Sequence, residues 1–473
     1  MLRSLLIFAL PLVGAFSSPA KKYPLKAPRL AQIDPDDFDA ESWTVHYGPD
    51  GSKLVLTRNP ETNTLLDFYS LNQRNSPPLT EQQLAFGTTQ LILNSGWKNL
   101  TPGDLPPPTT VLIPLKSFMV LSTTTIPFLE MLNEDTNLKA YGGDAVYVSS
   151  GCLRDRLPAS NTPESVANPF VGTGFGDKNL SATTPVIGSV QVSFSDFQPE
   201  EPIYYWSYPE FPPQSWGNGV IVKIIEQREQ SLSGGGGAVG FYSLFFNKEA
   251  TASRLFLGGV KPRIDCVEYN AVALSATTKS RQKVLWANYY VWGCGEYSVS
   301  VEGYYLYEDE CGGWAIPVCG YYHEQATILV EADLLCTDED VPGGTYLTDE
   351  EFVAWGQAAE KFVYADGTSW DSVFAEKIDM LSKFTSVINE EVYDVCKNGV
   401  NDYYESRVAN PDSFLEDMTE IVTGKTQNYY ERRFMRNVFD EVCGVESVCV
   451  EGDWVSLADE CSYIKSGGSG SGS

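Results

Sequence analysis

TVLIPLKSFMVLSTTTIPFLEML, residues 110–132, carries two kinds of pattern in one run. Val111 to Val120 is apolar but broken by Pro114 and Lys116, which predicts one or two short buried strands and no helix. A hydroxyl run follows, Ser122 to Thr125. Pro127 then suits a first helical turn, because its fixed φ is already helical and its missing N–H would be unbonded there, and Phe128, Leu129, Met131 and Leu132 begin an apolar helix face. The order is strand, polar loop, helix. In an open α/β sheet such a loop lies at the carboxyl end of its strand, where amides and hydroxyls face a ligand.

Working outward, Trp43–Tyr47 and Lys53–Thr57 alternate about Gly48-Pro49-Asp50-Gly51, a hairpin signal, with His46 read as a surface strand residue. The proline- and acid-rich segment before it, from Lys21, is expected to wrap a domain edge without a core of its own. Beyond the first helix, Gly142-Gly143 turns the chain, Ala145–Val148 reads as a short strand, and Ser149-Ser150-Gly151 as a second polar strand-end loop. GTGFGDKN from Gly172 resembles a phosphate loop only in composition: no long apolar strand precedes it and no clear helix follows, which favours a surface loop. Tyr204, Tyr205, Trp206, Tyr208, Phe211 and Trp216, interleaved with prolines, serve either packing or the wall of a cleft for a large flat ligand. Gly219–Arg228 and Ala238–Phe256 read as helices separated by a glycine break at Ser233–Gly237, and the second of them as a bridge between two lobes.

The second half repeats the α/β theme. Val284–Ala287 is a buried-strand pattern with Asn288, Tyr289, Tyr290 and Trp292 at its carboxyl end. A cysteine-stapled aromatic segment from Tyr304 to Tyr322 then includes Trp314 and the acidic triplet Glu308–Glu310, which reads as a solvated loop. Amphipathic helices are predicted at Asp349–Tyr364 and Ser369–Phe384, a strand at Glu391–Val395, and a helix at Pro411–Val422 capped by Asp412 or Ser413.

The chain of 473 residues is long enough for two or three units, and 62 acidic against 33 basic residues give a net charge of -29, which argues against nucleic acid as a partner. Met1–Ala15 has the arginine, apolar run and small-residue end of a secretory signal, and no later stretch is long and apolar enough to span a bilayer. SGGSGSGS, residues 466–473, reads as an engineered linker, which leaves open a native continuation such as a membrane anchor. Ten cysteines without a CxxC pair fit disulfides in an oxidising compartment, and two histidines supply a metal centre poorly. Asn99 and Asn179 head glycosylation sequons. GxSxG and HExxH motifs are absent, so a secreted hydrolase would have to work by carboxylates alone.

From Trp43 to Gly424 the order of these elements resembles the substrate-binding proteins of bacterial cobalamin and ferric-siderophore uptake. The matching stretches are VLIPLKSFMVLSTTTIPFLEML, AVYVSSG, FYSLFFNKEATASRLF, VLWANYY and EVYDVCKNGVNDYYESRVANPDSFLEDM. The signal, the sequons and GGWAIPVCGYYHE from Gly312 are most similar to the algal extracellular cobalamin acquisition proteins. The resemblance implies an α/β, two-lobed periplasmic-binding-protein-like fold with a rigid helix joining the lobes, and cobalamin as bound ligand. It implies no reaction and no catalytic cofactor or metal, a monomer, and a membrane transporter or receptor as partner. A ferric siderophore or haem is the alternative ligand; the scarcity of arginine in the loops favours a neutral one. The expected division is a signal at 1–17, an N-terminal lobe at 18–218, a connecting helix region at 219–262, a C-terminal lobe at 263–424 and a cysteine-rich segment at 425–465. The expected ligand contacts are Ser122, Thr123, Thr124, Ser149, Ser150, Trp206, Asn288, Tyr289, Tyr290, Trp314, Asp402, Tyr403, Tyr404 and Arg407, the last orienting Asp402 or meeting a phosphate.

Overall fold

The computed structural model describes residues 32–154, 186–189, 221–275, 282–290, 313–316, 333–335, 345–424 and 430–445, with short interruptions at 49, 61–62, 98–99, 117, 121, 142–146, 225, 227–228, 230 and 366–369. The signal, Asn99 of the first sequon, the whole Asn179 sequon, the Gly172 loop, Tyr204–Trp216, Tyr304–Tyr307, Glu308–Glu310 and the terminal linker lie outside the described residues.

The first lobe holds two sheets. β1 (Trp43–Tyr47), β2 (Lys53–Arg58) and β3 (Leu65–Gln73) form an antiparallel meander, and after helix α1 (Glu81–Ser95) β4 (Thr109–Ile113) returns parallel to β3. The meander alternates. Leu54, Leu56 and Phe68 face α1, while Trp43, Val55, Tyr69 and Leu71 face the lobe interior. His46 sits on the α1 side, its ring edge-on to Phe86. The second sheet is parallel, in the order β6 (Leu138–Tyr141), β5 (Phe118–Val120), β7 (Val186–Ser189), β8 (Ile221–Ile224). The opening stretch is thus two strands, as its pattern predicts, and each belongs to a different sheet. Pro127 lies in the first turn of α2 (Ile126–Met131), behind a 3-10 turn at Thr123–Thr125, and the short α3 (Gly151–Arg154) follows Ser150.

Three segments fold otherwise than their patterns predict. Residues 221–224 of the expected helix Gly219–Arg228 are strand β8. The glycine run is no break: Ser231 caps helix α4 (Leu232–Leu244), and Gly234 to Gly237 are buried inside it. The physical reason is close approach. A Cβ on Gly237 would lie 2.0 Å from the Phe38 carbonyl oxygen, and one on Gly236 2.9 Å from Pro411 Cγ. Phe38, on the short 3-10 turn Pro35–Phe38, is therefore a core residue, so this part of the N-terminal segment does more than wrap an edge. Third, the expected helix Asp349–Tyr364 ends at Gly356, and Lys361–Tyr364 is a strand buried on both faces, whose short apolar run carries no period to separate it from helix.

The second lobe is a three-layer sandwich. β9 (Lys283–Tyr290), β13 (Lys361–Tyr364) and β14 (Val392–Asp394) run parallel at its centre. β10 (Gly313–Ile316) and β12 (Thr345–Leu347) extend it antiparallel on one side, β15 (Arg436–Asn437) on the other, and β11 (Asp333–Leu335) pairs parallel with the start of β9. Val284, Trp286 and Val363 pack on α6 (Lys261–Ser275) and α12 (Pro411–Thr423). Leu285, Phe362 and Val392 pack on α7 (Asp349–Gly356), α8 (Trp370–Glu376), α9 (Ile378–Leu381) and α10 (Thr385–Ile388). Asn410 stands at the cap of α12 but makes no side-chain bond to the helix start, its amide donating instead to the Ser406 carbonyl at 2.7 Å; Asp412 pairs with Arg263 at 3.2 Å.

Between the lobes, α4 is followed by α5 (Glu249–Leu255), a π-helical turn (Phe256–Val260) and α6. Phe256 belongs to the first lobe's core and Ile264 to the second's, so the chain crosses at the π turn. The chain is therefore two α/β lobes joined through helix. Alanine at Gly237 forces backbone apart and should lower stability by ~1–3 kcal/mol. Alanine at Gly258, where a Cβ meets nothing within 4 Å, should leave stability unchanged or raise it by ~0.4–1 kcal/mol. Denaturant unfolding of the two variants beside wild type checks the contrast.

Candidate functional site

The loop after β5 is closed on itself. Ser122 Oγ accepts the Thr124 amide at 3.3 Å and shares a hydrogen bond with Thr124 Oγ1 at 2.9 Å, the local bonding that favours serine and threonine at such turns. Thr124 Oγ1 also donates to Glu226 at 2.6 Å, and the Thr125 and Tyr242 hydroxyls meet at 3.2 Å, so the loop is tied to the segment after β8 and to α4.

The matching edge of lobe two is set by parallel register. Val284 to Ala287 lie opposite Lys361 to Tyr364, and Phe362 to Tyr364 opposite Val392 to Asp394, which brings the carboxyl ends of β9, β13 and β14 to one side. Asn288 and Tyr289 stand there, both buried. The Tyr364 hydroxyl donates to the Tyr289 carbonyl at 3.5 Å, and Lys377 Nζ lies 4.6 Å from the centre of the Tyr289 ring. From β14 the chain runs into the short helix α11 (Asp402–Ser406), whose Tyr404 hydroxyl donates to the Ala365 carbonyl beyond β13.

α11 also reaches the first lobe. Its Glu405, 1% exposed, accepts the Ser149 amide at 2.7 Å and the Ser150 amide at 3.0 Å, while Ser150 Oγ donates to Glu130 on α2. Burial drives both carboxyls upward: Glu130 to about 7, with Asp135 and Asp402 adding to the rise, and Glu405 well above its ordinary range, with Glu130 and Asp402 adding to it. The polar atoms that sequence assigned to a ligand at Ser149 and Ser150 are thus engaged by a side chain of the opposite lobe.

Of the expected contacts, Ser149 and Ser150 meet α11, which carries Asp402, Tyr403 and Tyr404 and packs against the turn Thr123–Thr125. Asn288 and Tyr289 are on the same edge of lobe two. Tyr403 is a core residue, 1% exposed, against Phe414 and Phe434. Arg407 stacks on Tyr403 at 4.4 Å; the guanidinium beside Asp402, at 3.7 Å, belongs to Arg433. Tyr290 and Trp314 have only their backbones described, with Trp314 directly opposite Tyr289 between β10 and β9, and Trp206, Asn99 and Asn179 lie outside the described residues. Sequence reasoning passed over Glu130, Glu226, Glu405 and Arg433. Only Glu405 left a trace, being three residues from Asp402 on one helical face.

Between the lobes, Glu226, Glu229, Arg407 and Phe414 help line a cavity of ≈ 30 Å³, room for water and far too small for a corrin. Among the described residues no group of three or more His, Cys, Asp or Glu is placed to hold a metal ion, and no helix is long and apolar enough to cross a membrane.

No protein-family model matches the chain, and no curated protein does. Solved structures similar to it include a periplasmic heme binding protein from Pseudomonas aeruginosa, 10% identical over 66% of this chain and 94% of that one, with a TM-score of 0.41. The periplasmic vitamin B12 binding protein BtuF of Vibrio cholerae is 11% identical over 66% of this chain and 99% of that one, TM-score 0.36. The triscatecholate siderophore binding protein FeuA from Bacillus subtilis is 10% identical over 67% and 96%, TM-score 0.40. Likenesses this distant carry no argument about ligand, and the two-lobed α/β architecture stands on this chain's own registers and cores.

Arg433 reaches the seam because Asp417, fully buried on α12, accepts the amides of Arg433, Phe434 and Met435 at 2.9, 2.8 and 3.0 Å, and the Tyr430 hydroxyl. Asp417→Asn removes an acceptor and faces an amide donor to those N–H groups. It should lower stability by ~1–3 kcal/mol and release the 433–435 amides first, which hydrogen exchange reads directly.

Proposed function

We propose that this is an extracellular binding protein that captures cobalamin between its lobes and hands it on unchanged to a membrane transporter or receptor. The observation that carries this reading is the convergence of strand-end loops from both lobes on one seam, linked by Glu405 to Ser149 and Ser150. A corrin with its nucleotide tail is large, partly apolar and rimmed by amides. It suits hydroxyls at Ser122 to Thr124, the Asn288 amide and the aromatic faces of Tyr289 and Tyr404, with Tyr290, Trp314 and Trp206 as further walls. Charge supports a neutral ligand: Arg407 is stacked on Tyr403, and Arg433 is bonded to Asn410 at 2.9 Å, so neither arginine reads as a receptor for an anionic ferric chelate.

Titration calorimetry with cyanocobalamin should give one site per chain and return of the intact vitamin. Tyr404→Ala should weaken binding by ~1–4 kcal/mol, the range for a buried aromatic anchor, with the fold retained by circular dichroism. Tyr403→Ala is unsuitable for that purpose, because it empties a core position. A flat trace with cyanocobalamin beside retention of haem or a ferric siderophore would reassign the ligand, and turnover of a glycoside would overturn the binding reading.

A further inference from the structure

We propose that closure of the two lobes is a proton-coupled latch, in which Glu130 and Glu405, meeting from opposite lobes on the two polar atoms of Ser150, hold the seam shut while a proton is bound between them and let it part when both are ionised. Such a latch needs no ligand and is independent of what the cleft captures. The geometry is a three-member bridge: Ser150 Oγ donates to Glu130, and the Ser150 amide donates to Glu405 at 3.0 Å, with the Ser149 amide on the other Glu405 oxygen at 2.7 Å. Ser150 and Glu130 belong to the first lobe and Glu405 to the second, so the bridge exists only while the lobes are together.

The surrounding charges favour a proton on this bridge. From lobe one Asp135 faces Glu130, Glu134 is already taken by Lys248 at 3.1 Å, and Glu226 is bonded to Thr124. Arg154 lies on the helix that Ser150 precedes. From lobe two Asp402 adds a further negative charge one turn before Glu405; its own neighbours are Ser406 Oγ at 2.5 Å and Arg433 at 3.7 Å. Arg433 is the cation that opposes the rise at Glu130, and Arg407 is stacked on Tyr403. Two ionised carboxylates on one buried serine repel in a medium that screens them poorly. The π turn at the crossing, with Gly258 and Gly259 facing open space, is where the lobes would swing.

The sign follows from linkage. Burial raises Glu130 to about 7 when the lobes are closed, and opening returns it to water and to the ordinary carboxylate range. Closure therefore binds protons; its contribution is complete below that ordinary range and is lost as pH rises through about 7. Each coupled proton changes the closed-to-open ratio by up to about tenfold per pH unit within that window.

Small-angle scattering of the ligand-free protein between about pH 5 and 9 reads the effect directly as an increase in radius of gyration. Glu130→Gln keeps an acceptor for Ser150 Oγ without a charge and should stay compact across the range. Glu405→Gln turns an amide donor toward Ser149 or Ser150 and should be expanded even at the acid end, with circular dichroism confirming that each variant is folded. His46 and Asp417 are separated from the latch by the Glu130→Gln arm, since both groups remain in that variant. A wild-type radius that does not change with pH, or a Glu130→Gln variant that expands over the same window as wild type, would overturn the proposal.

Discussion

Near its start α4 carries four consecutive glycines, Gly234 to Gly237, and the rest of the molecule is arranged around that absence of side chains. Gly234 and Gly237 bring α4 against the backbone of Asp39 and Phe38, and Gly235 and Gly236 bring it against Val408 and Pro411 of the second lobe. Isolated, such a run would be a poor helix, because glycine loses the most backbone freedom on ordering. Here tertiary contact outweighs propensity. Every glycine of the run is buried, Ser231 caps the helix through the Gly234 amide at 3.0 Å, and the apolar stretch Ala238–Phe246 that follows supplies the burial which holds the glycines in place. One helix start thus fixes the N-terminal turn, the first lobe's core and the docking of α12.

Buried charge supplies specificity where apolar packing alone would not. Lys53, fully buried on β2, donates to the Leu244 carbonyl at 2.6 Å and to Asn247 at 2.9 Å, and pairs with Glu249 at 2.5 Å, pinning the meander to the junction of α4 and α5. An ion pair so placed adds little net stability over a hydrophobic pair but makes other registers expensive, since any slip leaves an uncompensated charge. The second lobe uses the same device at its far edge. Arg436 on β15 forks onto Asp394 of β14, and the Cys396–Cys443 disulfide closes the same corner, so the segment from 430 to 445 is built into the sheet.

Much of this was legible in sequence where a local rule sufficed. The hairpin about Gly48–Gly51, the division of Val111–Val120 into two strands, the proline in the first turn of α2, β9, β14 and α12 all follow from alternation, caps and breakers. What failed were decisions that only tertiary contact makes. Gly234–Gly237 reads as a break unless Phe38 and Pro411 are known to lie against it. Lys361–Tyr364 is too short to show a period, and Tyr403 looks like a ligand-facing aromatic until Phe414 and Phe434 close over it. The site was legible as a set of loops and illegible as a network, because Glu405 finds its partners 256 and 255 residues away. No spacing rule reaches that far.

The seam itself follows a different logic from the cores on either side of it. A permanent interface would be expected to bury apolar side chains, as the contact of α4 with Phe38 does inside the first lobe. The contact between α2, α11 and the Ser149–Ser150 loop instead centres on Glu130, Glu405 and Asp402, three acidic groups served by serine hydroxyls, backbone amides and the guanidinium of Arg433. Such a contact is well bonded at Glu130 and Glu405, leaves Asp402 Oδ2 with only the ion pair to Arg433 at 3.7 Å, and is poor in net energy, because desolvating carboxylates offsets most of what the bonds contribute. That combination fits a surface that must close in one register and still come apart, since the amides of Ser149 and Ser150 specify the geometry while the crowded charges keep the closed state shallow. The chain's own acidic composition makes the same point in a wider frame: with the rest of the surface strongly negative, lobe separation is the easy direction, and the latch is what opposes it.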